Sequence, residues 1–440
     1  MKNIVIVGGG FAGTTLAKRL LRNLPADHHV VLVSEESYTT FNPMLAEVVG
    51  AAVFPEHVVA PIRQMLGTAS ADRSQFVMGR ATGVDVAQRQ LSVHTLAGPQ
   101  HISYEHLVLA FGTRANLTLV PGLAEHALPL KLVGDAMHIR NRVLQRVARI
   151  ELESDPAKRR ELGHFIVIGG GFSGVEVAGG LSDFLRDARR YYPRVRADEL
   201  KVTVLQDADR LLLELPESLG LAAARSLQSR GIEVRLKARA ESVAASGVTL
   251  SGGEFIAGGT VICTIGTQPN PLVTQLPCAT QRGRIETLPD MYVAGLPGVW
   301  ALGDCALVRN GEAFAPPTAQ FAVAEARALA DNITATIAGR ATTAFSHRSR
   351  GMMATTGHLK GVAQVFGLRL SGLPAWMLWR AYYLLLMPTL GRKVRIFVEW
   401  TWSMFFAADI THLRFTRTAE ADAPSAQSIT QTPAQPLTTP

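Results

Sequence analysis

Two glycine turns, GGGFAG at residues 8–13 and GGGFSG at residues 169–174, are the stretches of this chain best suited to chemistry. In each, the first glycine (Gly8, Gly169) permits a tight bend from strand to helix, and the second (Gly10, Gly171) lets the backbone approach a pyrophosphate. The third (Gly13, Gly174) allows the helix to pack closely. Phe11 and Ala12 lie within the first turn, where a helix N-terminus supplies free N–H groups and a partial positive charge. Each turn follows a short β-branched strand, at residues 3–7 and 165–168, and precedes a helical stretch. That context turns a glycine pattern into a nucleotide site. One such turn predicts one dinucleotide; two predict that two dinucleotides meet. The chemistry of a nicotinamide held against a flavin is hydride transfer.

The polar residues near the turns refine this expectation. Glu35 ends the second strand, at residues 29–34, and falls 27 residues after Gly8. A carboxylate there can accept hydrogen bonds from the ribose hydroxyls of an adenosine. A strand at residues 106–110 runs into Phe111-Gly112-Thr113, a turn consistent with the chain passing close to a cofactor. Gly303-Asp304 ends another strand, where the carboxylate could bind the ribityl or phosphate end of a flavin; taken alone, Asp304 reads as a helix N-cap. In the second unit, Gln206 follows the strand Lys201–Leu205 where an acid would bind the 2′-hydroxyl of NADH. A neutral Gln removes the repulsion of a 2′-phosphate, Arg210 is close enough in sequence to pair with one, and Asp207 supplies an acid one residue later. NADH and NADPH both stay open. Cys263, Cys278 and Cys305 are isolated, which argues for small packing residues in a reducing compartment, against a disulfide framework or redox dithiol, and against a metal site.

The elements that must position these residues follow from the pattern. At 440 residues and 47% apolar, the chain is long enough for two or three domains. The first helix runs to about Arg22, Pro121-Gly122 marks a crossing, and a basic helix is predicted over residues 135–162. The second turn's helix covers residues 175–188, strands at 233–236 and 260–265 complete a small sheet, and residues 266–271 read as a hinge. A helix at residues 318–337 follows Gly303-Asp304. The predicted class is α/β: two Rossmann-like dinucleotide-binding domains, the second inserted into the first, plus a C-terminal helical membrane-surface region. The expected divisions are residues 1–115 and 270–343 for an FAD-binding domain, 116–269 for an NAD(P)H-binding domain, and 344–416 for the C-terminal region. Residues 417–440 lack apolar periodicity and are expected to be a disordered tail.

The segments GGGFAG, FNPMLAEVVG (41–50), YEHLVLAFGT (104–113), GGGFSGVEVAGGL (169–181), VWALGDCA (299–306) and PPTAQFAVAEA (316–326) together resemble type II NADH dehydrogenases. These are single-subunit, FAD-containing NADH:quinone oxidoreductases of the two-dinucleotide-binding-domain flavoproteins, and the likeness spans residues 2–416. The resemblance implies FAD at the first turn, with Glu35, Gly112, Gly303 and Asp304 around it, NAD(P)H at the second, and a quinone acceptor reached without proton pumping. It implies that Glu176 lies near the meeting point of nicotinamide, flavin and quinone; from its position alone, Glu176 reads equally as a solvated first-turn acid. Ala319-Gln320 matches the start of the family's AQxAxQ segment, so the resemblance makes Gln320 and Glu176 the candidates for relaying protons. The chain departs from the family at Ala324 and Glu325, where later glutamines are usual, and at Gly180, where a glutamate is usual.

Trp376, Trp379, Trp400 and Trp402 cluster with Tyr382, Tyr383, Phe397, Phe405 and Phe406 and the bases Arg380, Arg392, Lys393 and Arg395. Trp376, Trp379, Tyr383, Leu386 and Leu390 follow the spacing of one helix face. Arg380 and Pro388 interrupt the run before it could span a bilayer, so residues 373–410 are expected to lie on a membrane surface, as the resemblance also implies. The competing reading is a homodimer interface or an ordinary packed helix. The net charge of +8 admits anionic lipid or nucleic acid as partner, and the motifs favour lipid. The first strand begins immediately after Met1-Lys2, so no signal peptide is read and the expected place is the cytoplasmic face of the cell membrane. Rival functions are a soluble reductase for a ferredoxin- or rubredoxin-type protein and a non-enzymatic nucleotide-sensing flavoprotein. Disulfide reductase and sulfide:quinone reductase chemistry lack a cysteine pair.

Overall fold

The computed structural model describes residues 2–67 and 72–413. The expected tail at 417–440 lies outside these residues. A seven-stranded sheet orders its strands as Val299–Ala301, His106–Leu109, Lys2–Val7, His28–Ser34, Ser74–Asp85, Gln90–Thr95 and Gly98–Ser103. The first five run parallel and the last two form antiparallel hairpins. Four of the five parallel segments carry near-continuous apolar runs, IVIV, VVLV, LVL and VWA, as strands covered on both faces do. Their register aligns Val7 with Val33 and Leu109, and Leu109 with Ala301. The first glycine turn, Phe111-Gly112 and Gly303-Asp304 therefore emerge together at one carboxyl edge, the usual place for a ligand in such sheets.

A second, fully parallel sheet lies between two strands of the first in sequence: Ala127–Pro129, Thr260–Cys263, His164–Ile168, Lys201–Leu205 and Glu233–Arg235. The chain leaves the first sheet through Thr113–Ala115 and returns through Thr267–Pro269. These two segments pair antiparallel, Ala115 opposite Thr267. The crossing thus comes before Pro121-Gly122, and the expected hinge at 266–271 is half of a two-stranded connector. The basic helix predicted over residues 135–162 is broken in two, Val133–Leu152 and Pro156–Leu162. Asp155 caps the second piece by accepting from the Ala157 N–H, and Pro156 occupies its first turn, where its missing N–H costs nothing.

The C-terminal region begins with a three-stranded antiparallel sheet, Gly351–Thr355, Gly361–Val365 and Leu368–Ser371, before its helices Leu373–Leu386 and Leu390–Phe405. Period-two alternation is weak in these short strands, and the helical expectation for the region missed them. The region packs on the helix Phe172–Arg189, whose Gly179 makes the approach possible. A Cβ at Gly179 would lie 2.5 Å from the Thr356 backbone, and Gly50 sits against Gly180 on the far side. Gly180 faces the helix Leu45–Val49, where a Cβ would make ordinary contact, 3.4 Å from the Ala46 carbonyl oxygen, so packing does not explain the glycine in place of a glutamate. One core joins that short helix, the second sheet's helices and the C-terminal Trp379, Ile396 and Trp400; a separate core fills the first domain.

Candidate active site

The two glycine turns share their backbone. Gly8 and Gly169 adopt φ of +122° and +113°, which side chains resist, and a Cβ on Gly13 or Gly174 would come within 1.9 or 1.8 Å of the Gly8 or Gly169 carbonyl oxygen. The helices Phe11–Asn23 and Phe172–Arg189 both start without a side-chain cap, and open space lies over Gly10 and Gly171. Uncapped N–H groups beside open space suit an anionic pyrophosphate.

Around the first turn the sequence-predicted residues converge. Gly303, at φ +72°, sits against Ala12, and Gly112 turns at φ +63° after its strand. Asp304 lies in the single turn Gly303–Cys305, where Leu302 occupies the cap position, so the N-cap reading does not hold. Its half-exposed carboxylate has no hydrogen-bond partner among the described residues. Glu35 is engaged: one oxygen takes Arg80 at 2.9 Å and the other takes Arg114 at 3.0 Å. Its lone pairs still allow a ribose hydroxyl to donate. Glu325, seen in the sequence only as a departure from the family, closes the site from behind. It accepts from the Gly303 N–H at 2.6 Å, and burial pushes its carboxyl up to about 7. Gln320 opens the same helix, Ala319–Ile337; Ser349 donates to its Oε1 at 3.2 Å, and its buried Nε2 has no partner among the described residues. An open helix N-terminus, a free carboxylate and an orphaned amide donor on one edge fit FAD, with Gly10–Gly13, Asp304 and Gln320 as the groups that would hold it.

The second turn is closed locally. Gln206 is buried, and its Oε1 accepts from the Gly170 N–H at 2.8 Å, so its carbonyl fixes the turn instead of facing a ribose. Arg210 donates to the Leu215 and Leu213 carbonyls at 2.7 and 3.0 Å, which occupies the guanidinium that lay close enough in sequence to pair with a 2′-phosphate. Asp207 is exposed at the strand end.

Glu176 is buried, which excludes the solvated reading. It accepts from the Thr355 N–H at 3.2 Å and from the Trp379 Nε1–H at 2.9 Å, and burial pushes its carboxyl up to about 8. A chain of edge-to-face rings leads from it to the first turn: Trp379 to Tyr383 at 4.7 Å, Tyr383 to Phe41 at 5.8 Å and Phe41 to Phe11 at 5.4 Å. A cleft of about 260 Å³ opens on Glu176. Glu47, Trp376 and Arg380 also line it, and Met404, Phe405 and Phe406 form an apolar wall. Sequence reasoning missed Glu47, although a lone acid within the apolar run LAEVV marks a buried carboxyl.

The aromatic stripe points the opposite way from the expectation. Trp376 and Trp379 are 4% and 1% exposed and face inward, and the stripe ends at Met387, before a new helix begins at Leu390. The exposed apolar face is instead Val394, Phe397, Val398, Trp402 and Phe405, beside the cations Arg392, Lys393 and Arg395. Among the described residues no helix is long and apolar enough to cross a membrane.

A family model for pyridine nucleotide-disulphide oxidoreductases matches residues 2–326. A type II NADH:quinone oxidoreductase of Mycobacterium tuberculosis is 28% identical over 418 residues, covering 90% of this chain and 87% of that protein. A mitochondrial internal alternative NAD(P)H-ubiquinone oxidoreductase A1 of Solanum tuberosum is also 28% identical, covering 93% of this chain and 88% of its own length. Among solved structures, NDH2 from Plasmodium falciparum in complex with NADH has the same fold, with a TM-score of 0.86 at 18% identity over 93% of this chain and 99% of that one.

Proposed function

The chain belongs to the pyridine nucleotide-disulphide oxidoreductase family, and from that premise we propose that it is a type II NADH:quinone oxidoreductase, with FAD at the first turn and NADH at the second. Bound FAD would accept the hydride and supply two electrons to a quinone. The residues provide the rest. The two uncapped helix N-termini bind pyrophosphates, Glu35 and Asp304 accept from sugar and ribityl hydroxyls, and the ring chain from Phe11 to Trp379 excludes water between the first turn and Glu176. Glu176 holds a proton at neutral pH and is the donor to the reduced quinone.

The observation that carries this reading is the cleft over Glu176, because it joins a proton-bearing buried carboxyl to an apolar wall continuous with the exposed face of the last helix. That face, with Arg392, Lys393 and Arg395 beside it, suits an anionic leaflet, so the enzyme sits peripherally on the cytoplasmic face and works without pumping protons. Such an apolar face favours lipid over a soluble ferredoxin-type partner. The occupied Arg210 and turn-bound Gln206 favour NADH over NADPH.

Anaerobic mixing with NADH is expected to bleach a flavin absorbance band, and a short-chain quinone to restore it. A protein purified without that band, or one that NADH leaves oxidised, would refute the two-site reading. Placing carboxylates on the exposed apolar face (Phe397→Glu with Trp402→Glu) is expected to abolish binding to anionic liposomes while leaving NADH bleaching intact. Unchanged liposome binding would refute the docking surface.

A further inference from the structure

On the quinone reading above, we propose that Glu47 delivers the solvent proton consumed in quinone reduction, passing it to Glu176 through the cleft that both carboxyl groups line. Three separate parts of the chain meet there. Glu47 comes from the short helix Leu45–Val49 of the first domain, Glu176 from the second turn's helix, and their indole donors from the two C-terminal helices. Trp400 donates to Glu47 at 3.1 Å, as Trp379 does to Glu176 at 2.9 Å. Arg380 is stacked between Trp376 and Trp400, at 3.9 and 4.9 Å from the ring centroids, with its guanidinium 4.0 Å from Glu47. Arg380 also donates to the Trp400 carbonyl at 3.3 Å, which holds the guanidinium in place, and its buried Nε has no partner among the described residues.

The two acids have different surroundings. Burial raises both carboxyls, and the charge of Glu47 adds to the push on Glu176. At Glu47, Arg380 opposes that push, while Asp183 adds to it. Among the described residues Glu176 has the neutral Trp379 and Thr355 donors, whereas Glu47 has the Arg380 guanidinium beside its Trp400 donor. Arg186, Asp187, Arg190 and His358 line the same cleft as the remaining charged and titratable groups. The overall change, NADH + H⁺ + quinone → NAD⁺ + quinol, takes two electrons and one proton from NADH and one proton from solvent. The Glu176 O–H bond breaks to protonate a quinone oxygen, the Glu47 O–H bond breaks to reprotonate Glu176 through water, and solvent restores Glu47.

Stopped-flow measurements on the flavin-loaded enzyme test the relay, with Glu47→Gln, Glu47→Asp and Glu176→Gln compared. For Glu47→Gln, NADH should bleach the flavin at the wild-type rate, while reoxidation by a short-chain ubiquinone slows on the order of 10- to 100-fold. The alkaline limb of the reoxidation pH profile should move to lower pH, and Glu47→Asp should recover part of the loss. The relay is overturned if Glu47→Gln reoxidises at the wild-type rate with a wild-type pH profile while Glu176→Gln is slow. It is equally overturned if bleaching and reoxidation fall together, which marks a merely structural residue. If Glu176→Gln too reoxidises like the wild type, the quinone site itself lies elsewhere, and the relay falls with it.

Discussion

The two glycine turns have the same local backbone and different closures. At the second, closure comes from nearer in sequence, with Gln206 accepting from the Gly170 N–H and Thr264 donating to the Ile168 carbonyl. At the first, closure comes from about 300 residues away: Gly303 against Ala12, held by Glu325, with Asp304 facing outward. A site finished by a distant segment releases its ligand only when that segment moves, whereas a site finished by its own strand end stays open to solvent. On the proposed function, this difference matches a resident cofactor at the first turn and an exchanging one at the second, although the glycine patterns are nearly identical.

The strongest way to break this comparison is to damage each turn in the same manner. A Cβ at Gly13 or Gly174 meets a backbone oxygen that cannot move aside. Gly13→Val is therefore expected to yield protein without flavin, and Gly174→Val to yield flavin-loaded protein whose bleaching by NADH slows by roughly two orders of magnitude or more. Flavin absorbance after purification and anaerobic stopped-flow separate the two; equal flavin loss in both would erase the asymmetry.

A smaller effect should follow from loosening the second closure alone. Gln206→Ala removes a buried hydrogen bond worth about 1–2 kcal/mol, so the NADH concentration for half-maximal bleaching should rise roughly 5- to 30-fold with flavin content unchanged. A titration of bleaching against NADH measures this. A half-maximal concentration for NADPH at or below that for NADH in the native enzyme would instead show that Arg210 leaves its carbonyl partners.

The finest distinction is in titration, since an acid closes the first site and a neutral amide the second. The Glu325 carboxyl is raised to about 7, so the folded state holds that proton more tightly than the unfolded chain does. Its favourable contribution is complete below the ordinary carboxylate range and is lost as pH rises towards about 7. Glu325→Gln keeps an acceptor for the Gly303 N–H and removes this dependence. The melting temperature of the variant relative to wild type should climb by a few degrees across that window, for a change on the order of 1–3 kcal/mol. A parallel pair of melting curves across pH would show that Glu325 does not titrate.

Much of this was legible because it is local. Glycine spacing fixes a turn through sterics within six residues, and β-branched runs fix the strands before each turn. The aromatic stripe shows the limit: Trp376, Trp379 and Tyr383 do share a helix face, as their spacing requires. Periodicity gives the face and not its direction. That direction was set by Glu176, a buried acid that takes the Trp379 N–H, and by Glu47, which takes the Trp400 N–H from the following helix. Gln206 was found at the right strand end, but its side chain turned to an N–H group that only the folded turn presents. By itself the sequence determined two nucleotide-shaped turns at the carboxyl edges of two parallel sheets, because short-range sterics and hydrogen bonding suffice for them. Tertiary structure alone decided which turn is closed from afar, which aromatic face is buried, and that Glu47 and Glu176 share a cleft. Those depend on contacts between residues more than a hundred positions apart, where the energy of burying a carboxyl is met by donors that no local pattern announces.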